Sequence, residues 1–464
     1  MEYRDTYFLN SEEALRVAGK QNRWNGGEAL QVCYYDGEKI ESDLVNLVHL
    51  PIDTLIDTLA LGTFRLPKEI DFTGLDITEG IIQEIRNNFI LSINQATQLR
   101  NELNKHYYQK IKNAKLDFNE PLRFYMLSNT NTQVMQYVYK NIAMALEKMS
   151  YEVCLHMVHG CEDEKCLKVI AEFNPHVTIN INHFNNLYIN DNIFNFIWFQ
   201  DVMQVLVSDQ DIHLRARDFV YSLIPEFDRI INAKNISCKR QSFCINGNIY
   251  KKYPEVIKEK KVVFIGSSYK FYIRNKKMED AAKNLISIYN NGGSITTQYL
   301  EEIAYKFDIS MVRALEIANY IVRDLSVLAL CKIKSQYKVE VYGYGWENYD
   351  EVKPFYKGVL HHGEDISKVY NSATFALAPH LQYILQQRVL EASSSGTIPI
   401  VYDCRDWTKE NQYNDIFEFF KTKEDLENIL NQIEVPEKDF TQLLVKHSYE
   451  SFINKILKTI EQEK

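Results

Sequence analysis

An arginine and a glutamate three residues apart are the residues of this sequence best suited to chemistry. Arg388 and Glu391 belong to the segment QQRVLEASSSGTIPIVYD (386–403), in which small residues ending at Gly396 precede an apolar strand over 398–402. Helical spacing places both side chains on one face near the helix start, where backbone N–H groups favour an anion. A cation for phosphate and a carboxylate for sugar hydroxyls predict a nucleotide-sugar site.

A glycine turn after a buried strand is a second candidate for phosphate contact. Gly266-Ser267-Ser268 follows the predicted strand over 262–265, with Arg274 nearby as a cation. Backbone N–H groups of such a turn could meet a phosphate. A plain turn is the alternative interpretation, because a strand followed by glycine is common.

A second glycine-containing segment, GYGWE, follows the predicted strand over 338–342 and contains Gly343 and Gly345. It lacks the third glycine and the helix of a dinucleotide fingerprint, which excludes an NAD-binding site here. Neither a Walker motif nor a GxSxG nucleophile elbow occurs in the chain.

Two single residues at strand ends are candidates for catalysis. His380 follows the predicted strand over 373–378 and precedes the helix that begins near Gln387. Asp201 follows the predicted strand over 195–199 and is the best-placed carboxylate across a cleft. The alternatives are a structural histidine and a capping or solvated aspartate.

Two histidine-containing segments invite a ligand or metal interpretation. HHGED (361–365) precedes a helix, and capping of that helix and a loop close to the ligand are equal alternatives. His159, Cys161 and Cys166 lie close together, but no second ligand pair follows at zinc-site spacing. We therefore expect no bound metal.

The composition is that of a globular protein with more than one domain. The chain has 464 residues, of which 45% are hydrophobic and 25% charged. No apolar run approaches the roughly 18 residues that span a bilayer, and the N-terminus lacks a signal-peptide core. We expect a cytoplasmic protein with no integral membrane segment, whose eight cysteines are reduced. The net charge of −9 disfavours nonspecific nucleic-acid binding.

The first 118 residues show weak patterns and end in a long predicted helix. Apolar residues recur there at three- and four-residue steps or their multiples: Ile82, Ile85, Phe89, Ala96, Leu99 and Leu103. Packing of this stripe on its own domain and a role in oligomerisation are the two interpretations.

The region from 120 to about 255 alternates between short apolar runs and amphipathic helices. Predicted strands cover 123–127, 152–158, 176–181 and 195–199, and predicted helices cover 134–148 and 164–173. This rhythm predicts a parallel, doubly wound α/β sheet. Polar loops at the strand ends are where an acceptor could bind: 128–131, 182–183 and 200–201.

A second α/β unit begins at Lys261 with predicted strands over 262–265, 338–342, 373–378 and 397–402. The stretch from about 279 to 333 is mostly helical. Its helix–turn–helix character over 294–325 is interpreted as packing, because the second helix lacks basic surface residues. A last helix over 449–460 could return to the first unit.

Five ordered segments of the second unit resemble the CgeB-like (spore-maturation-type) glycosyltransferases, which are similar to family-four glycosyltransferases of the GT-B fold. The segments are VVFIGSSYKFYIRN (262–275), VYGYGWE (341–347), FYKG (355–358) with 364–370, QQRVLEASSSGTIPIVYD (386–403) and HSYESFINKIL (447–457). Weaker similarity covers IWFQD (197–201) and FCINGNIYKKYP (243–254). One departure is Tyr383, which stands where family-four enzymes often carry a carboxylate.

The resemblance implies two Rossmann-like domains facing a cleft. It implies an N-terminal accessory region over 1–118, an acceptor-side domain over 119–258 and a donor-binding domain over 259–464. Donor contacts would come from Glu391 to the ribose and from Arg388 or Arg274 to the diphosphate. The donor pocket would be shaped by Gly266, Ser267, Gly343 and Gly345, with Gln387 on the same helix as Arg388.

The sequence thus predicts a glycosyltransferase that uses a nucleotide-sugar donor, with UDP- or GDP-sugars expected, and a glycan or protein acceptor. No metal is obligatory for this chemistry. A homo-oligomer is possible on the sequence alone. Two alternatives remain: a GT-B sugar-nucleotide epimerase, and a non-catalytic module that binds nucleotides or glycans.

Overall fold

The chain divides into two compact α/β units in a computed structural model. That model describes residues 6–25, 32–34, 39–44, 47–51, 54–61, 67, 69–73, 78–129, 133–158, 166–208 and 210–464. The first unit comprises Met1–Arg240 and Lys455–Lys464, and the second comprises Gln241–Asn454. The expected α/β class is confirmed, while the domain limits at 118 and 258 stay predictions. Within the described residues, no helix combines the length and apolar character needed to cross a membrane.

The first unit begins with a small parallel sheet that the sequence did not predict. Its elements are β1 (Thr6–Phe8), α1 (Ser11–Asn25), β2 (Val32–Tyr34), β3 (Leu47–His49), α2 (Leu55–Ala60), β4 (Glu69–Asp71) and α3 (Glu79–Lys112), with strand order β3-β2-β1-β4. The long helix α3 was predicted. Its Phe89 and Ala96 are buried in a core shared with Tyr7 and Cys33, so this part of the predicted stripe packs within its own unit, whereas Leu99 is exposed.

A larger parallel sheet follows in the first unit. Its elements are β5 (Arg123–Asn129), α4 (Gln133–Lys148), β6 (Glu152–Val158), α5 (Cys166–Phe173), β7 (Val177–Ile181), β8 (Phe194–Phe199), α6 (Gln204–Val207), β9 (Asp218–Ser222), α7 (Pro225–Asn232) and β10 (Cys238–Arg240). The strand order is β10-β9-β8-β7-β5-β6. All six residues of β8 are buried, as a central parallel strand covered on both faces requires.

The second unit contains one parallel sheet of order β12-β11-β13-β14-β15. Its elements are β11 (Glu259–Ile265), α8 (Lys276–Asn290), α9 (Thr297–Phe307), α10 (Met311–Lys332), β12 (Lys338–Tyr342), α11 (Glu364–Asn371), β13 (Ala373–Ala378), α12 (Gln387–Ser394), β14 (Ile398–Tyr402), α13 (Arg405–Thr408), β15 (Glu418–Phe420), α14 (Lys423–Leu430), α15 (Thr441–Lys446) and α16 (Tyr449–Glu463). Helix α16 extends beyond the predicted limit, and its residues from Lys455 onward belong to the first unit.

Helices α8, α9 and α10 form a three-helix crossover between the neighbouring strands β11 and β12. Each helix begins at a polar cap: the side chains of Asn275, Thr296 and Ser310 accept hydrogen bonds from backbone N–H groups of the first turn. The second predicted helix of the helix–turn–helix pattern, α10, buries an apolar face that includes Ile317 and Ile321. The helical stretch predicted over 279–333 is therefore the connection between two strands.

Candidate functional site

The candidate site lies at the carboxyl edge of the five-stranded sheet. The chain runs from β11 to β12 on one side and then returns to β13 on the other side of β11. The connections after β11 and β13 therefore diverge, which opens a crevice at the strand ends. This edge brings together most of the predicted site residues: Gly266, Ser267, Gly343, Gly345, His380, Gln387, Arg388 and Glu391.

The two glycine segments pack against each other at this edge. Gly343 has a φ of +127°, and a Cβ built on it would lie 2.2 Å from the carbonyl oxygen of Gly266. That oxygen accepts a 2.5 Å hydrogen bond from the indole N–H of Trp346, and Gly345 has a φ of +87°. A side chain at Gly343 would force the turns apart, so glycine is required there.

Arg388 lies directly against the first glycine turn. A Cβ on Gly266 would be 3.4 Å from Nε of Arg388, and the guanidinium is hydrogen-bonded to the Tyr370 hydroxyl. Burial acts to lower the pKa of Arg388, but interactions with Tyr370 and Glu391 outweigh it and the pKa is raised. The helix therefore holds a permanent positive charge beside the turn.

Glu391 is only 4% exposed, one turn along the same helix. Burial raises its pKa to about 7, although the charge of Arg388 and hydrogen bonds with Gln387 and Tyr250 act in the opposite direction. The side-chain oxygen of Gln387 is buried without a protein hydrogen-bond partner. At neutral pH this carboxyl group exchanges readily between its charged and neutral forms.

His362 connects the HHGED segment to this cluster. Its Nε2 lies 3.3 Å from the Tyr250 hydroxyl, and burial together with the charge of Arg388 lowers its pKa to about 4. In the same segment, Glu364 occupies the first turn of α11 and forms a 2.8 Å ion pair with Lys368. The acidic residues therefore lie in the first turn of α11, where the N-cap residue is Gly363 and makes no side-chain cap hydrogen bond, and a role of the segment close to the ligand stays a prediction.

His380 lies after β13 in a neutral form. Burial and then the charge of Arg323 lower its pKa to about 3. Its Nδ1 accepts a 3.3 Å hydrogen bond from the backbone N–H of Gln382, and its ring centroid lies 4.5 Å from that of Tyr383. A neutral imidazole here can exchange hydrogen bonds with a ligand but does not carry a positive charge.

Arg274 is exposed, one residue before the cap of α8. Burial raises the pKa of the Tyr272 hydroxyl, and the positive charge of Arg274 acts against that rise. None of the ion pairs in the described part of the chain includes Arg274. Its proposed contact with a diphosphate stays a prediction.

The sequence reasoning missed Arg323 and Asp324, which α10 brings to the same edge. Asp324 is fully buried and accepts hydrogen bonds from the Ser268 hydroxyl (2.5 Å), the Tyr349 hydroxyl (2.7 Å) and the backbone N–H of Tyr269 (3.0 Å). Burial raises its pKa, and these bonds act against the rise. An Arg-Asp pair inside the apolar stretch IVRDLSVLAL was the signal available in the sequence.

Asp201 belongs to the first unit, at the carboxyl edge of the six-stranded sheet. Its carboxylate accepts a 2.9 Å hydrogen bond from the side-chain amide of Asn182, and its backbone N–H donates to the same side chain. The residue is solvent-accessible, yet desolvation raises the pKa of its carboxyl group against the bond from Asn182.

No group of three or more His, Cys, Asp and Glu residues that could hold a metal ion occurs in the described parts of the chain. His159 and Cys161 lie outside the described residues, as do residues 130 and 131 of the first predicted polar loop.

No protein family and no curated protein matches the chain. Among solved structures, it is similar to AviGT4, a glycosyltransferase involved in avilamycin A biosynthesis, with 11% identity, 73% of this chain and 96% of that chain covered, and a TM-score of 0.45. Anabaena HepE in complex with UDP-glucose has 8% identity, coverage of 74% and 100%, and a TM-score of 0.44. Sucrose-phosphate synthase from Thermosynechococcus elongatus has 10% identity, coverage of 74% and 98%, and a TM-score of 0.43. Likeness at this level carries no weight for fold or activity by itself.

Proposed function

We propose that this protein is a glycosyltransferase that moves a sugar from a nucleotide-sugar donor to a glycan or protein acceptor. One observation carries the proposal: a partly buried arginine lies against a glycine turn at the switch point of a parallel sheet, one helical turn from a buried glutamate. Parallel sheets bind ligands at such an edge, and the cation and carboxyl group match the phosphate and hydroxyl groups of a nucleotide sugar.

Each residue has a role in this proposal. Arg388 would contact the diphosphate and stabilise the negative charge that develops as the sugar leaves. Glu391 would bind the ribose hydroxyls, with Gln387 beside it. The acceptor oxygen would form a bond to the anomeric carbon while the bond from that carbon to the diphosphate breaks.

The acceptor hydroxyl must lose its proton in this step. We retain Asp201 and His380 as candidate catalytic residues. The raised pKa of the Asp201 carboxyl group makes it a stronger proton acceptor than an ordinary aspartate, and the neutral His380 ring can form hydrogen bonds with a ligand. A GT-B arrangement, the CgeB-like assignment, metal independence and a cytoplasmic location belong to the same proposal.

The proposal can be tested with the full chain and a panel of UDP-, GDP-, CMP- and dTDP-sugars. One nucleotide series should raise the melting temperature, and its sugar should be released or transferred. Glu391→Ala and Glu391→Gln should lower donor affinity or turnover at least about tenfold, which corresponds to one lost charged hydrogen bond. Glu424→Gln, an exposed glutamate of α14 in the same unit, is the matched control.

Each other result has a definite meaning. Full activity in both Glu391 variants would contradict the donor assignment. Conversion of a nucleotide sugar into an isomeric nucleotide sugar without any acceptor would identify an epimerase. Binding without turnover across donors and acceptors would identify a non-catalytic module.

A further inference from the structure

A second arginine lies at the same edge, and this one is buried with a guanidinium nitrogen unpaired. Arg323, on α10, is 7% exposed, and its Nε has no hydrogen-bond partner. Its Nη1 makes only a long 3.4 Å contact to the carbonyl oxygen of Ser267. Such a buried donor is costly unless something else satisfies it.

The surroundings of Arg323 orient its guanidinium group, and the neighbouring Asp324 offsets its positive charge only in part. Its guanidinium carbon lies 3.6 Å from the ring centroid of Tyr269, a stacking contact that fixes the plane of the group. The adjacent Asp324 makes its close hydrogen bonds to Ser268, Tyr349 and the Tyr269 N–H instead.

The two arginines flank one turn. Arg388 approaches Gly266, and Arg323 approaches Ser267, the next residue. Burial and the positive charge of Arg388 lower the pKa of Arg323, and together they outweigh Tyr269 and Asp324, which act to raise it. Two like charges held this closely in a largely buried place are stabilised when an anion binds between them.

We propose that the guanidinium groups of Arg323 and Arg388 together bind the diphosphate of the donor, so that the three-helix crossover supplies half of the anion site. This inference rests on the proposed function for the identity of the ligand. It assigns to the crossover a direct contact with the leaving group, where a planar guanidinium can bind phosphate oxygens in pairs.

Inorganic pyrophosphate is the first probe, because it measures the anion site without a base or sugar. Calorimetry should show that wild type binds it and that Arg323→Gln weakens binding about 10- to 100-fold. UDP, GDP and dTDP should show the same loss wherever wild type binds them, while the matching nucleosides change less than about twofold. Arg323→Lys should be intermediate, since it keeps the charge but loses the planar fork.

Arg313→Gln is the matched control, because Arg313 lies on the same helix and is paired with Glu316. It should leave pyrophosphate affinity within about twofold of wild type. The ligand-free melting temperature separates binding from folding. Arg323→Gln should keep or raise it, because the variant removes a buried charge that the empty site disfavours.

Several outcomes would overturn the inference. The first is that wild type does not bind pyrophosphate. The second is that Arg323→Gln binds pyrophosphate as tightly as wild type. The third is that Arg323→Gln loses affinity for nucleosides and for nucleoside diphosphates equally. If Arg323→Gln does not fold, Arg323→Lys decides in the same way. Binding of pyrophosphate that depends on Arg323, with no nucleotide sugar bound, would refute the proposed function and keep the anion site. Donor binding that depends on Glu391 but not on Arg323 would refute the anion site at Arg323 and leave the proposed function standing.

Discussion

The carboxyl edges of the two large parallel sheets share one topology and carry different side chains. In each sheet the first strand in sequence, β5 or β11, lies between the second and third strands, so each has a switch point beside it. Among the residues that the structure describes, the edge in the first unit presents the amides of Asn182 and Gln200 beside the carboxyl group of Asp201. The edge in the second unit presents Arg323, Arg388 and Glu391. Topology determines where a ligand can bind, and the side chains determine its charge.

The turns at the two edges also differ in the contacts that hold them. Asn182 has a φ of +66°, and its side chain accepts hydrogen bonds from the backbone N–H groups of Gln200 (2.8 Å) and Asp201 (3.1 Å). At the other edge Gly343 leaves room for the carbonyl of Gly266 and provides no side chain. The first edge is therefore held by side-chain bonds, and the second combines side-chain bonds such as that of Trp346 with close backbone packing at Gly343.

The strongest test of this comparison is Gly343→Ala. A Cβ 2.2 Å from the Gly266 oxygen cannot be accommodated without moving the turn, and a φ of +127° strains any other residue. We expect a loss of about 4 kcal/mol in the free energy of unfolding, from overpacking and strain together. Hydrogen exchange should increase in peptides that cover β11 and β12.

Two glycines of the same unit serve as controls for Gly343→Ala. Gly358 has a φ of +90° with nothing within 4 Å of its Cβ position, so Gly358→Ala isolates the backbone strain. Gly247 has open space and no positive φ, so Gly247→Ala should cost little. Equal losses in all three variants would show that close packing is not what holds this edge.

The pH dependence of stability tests the charged nature of the second edge. The pKa of Glu391 is raised from 4.5 to about 7, so the folded protein keeps a proton that the unfolded chain releases. Stability from this group is complete below about pH 4.5 and is lost as the pH rises through about 7, by about 3 kcal/mol in total. Glu391→Gln should remove that loss, measured as the difference from wild type in denaturant titrations between pH 4.5 and 8.

Subtracting the stability of Glu391→Gln from that of wild type at each pH separates the effect of Glu391 from that of the histidines. The lowered pKa values of His362 and His380 make stability fall as the pH drops below about 6.5, in both proteins alike. Glu340→Gln is a control of opposite sign. The pKa of Glu340 is lowered, because its hydrogen bonds with Lys338 and Tyr342 outweigh its burial. Identical pH curves for wild type and Glu391→Gln would contradict a Glu391 pKa near neutrality.

The strands of the large sheets were predictable because parallel strands covered on both faces are continuous apolar runs. The predicted limits of β6, β12 and β13 agree with the structure. The strands β1 to β4, β9, β10 and β15 were missed. All of these except β9 have only three residues, which are too few to show a period.

The site was predictable only where its residues are close to strand ends in the sequence. Arg388 and Glu391 share a single helix turn just before β14, so their spacing was visible. Arg323 lies in the interior of a helix, and its contact with Ser267 joins residues 56 positions apart. Such contacts depend on how the three-helix crossover packs, which periodicity does not reveal.

The smallest expected effect concerns the first edge and the residue Asn182. Asn182→Ala removes its bonds to Gln200 and Asp201 and leaves a residue with a Cβ at a φ of +66°, so we expect a loss of about 2 kcal/mol. Asn182→Gly loses the same bonds but tolerates the backbone angle, so about 1 kcal/mol is expected. Increased hydrogen exchange should be confined to peptides covering β7 and β8. If glycine is as harmful as alanine, the side-chain bonds alone hold this edge, and if neither variant loses stability, the edge does not depend on Asn182.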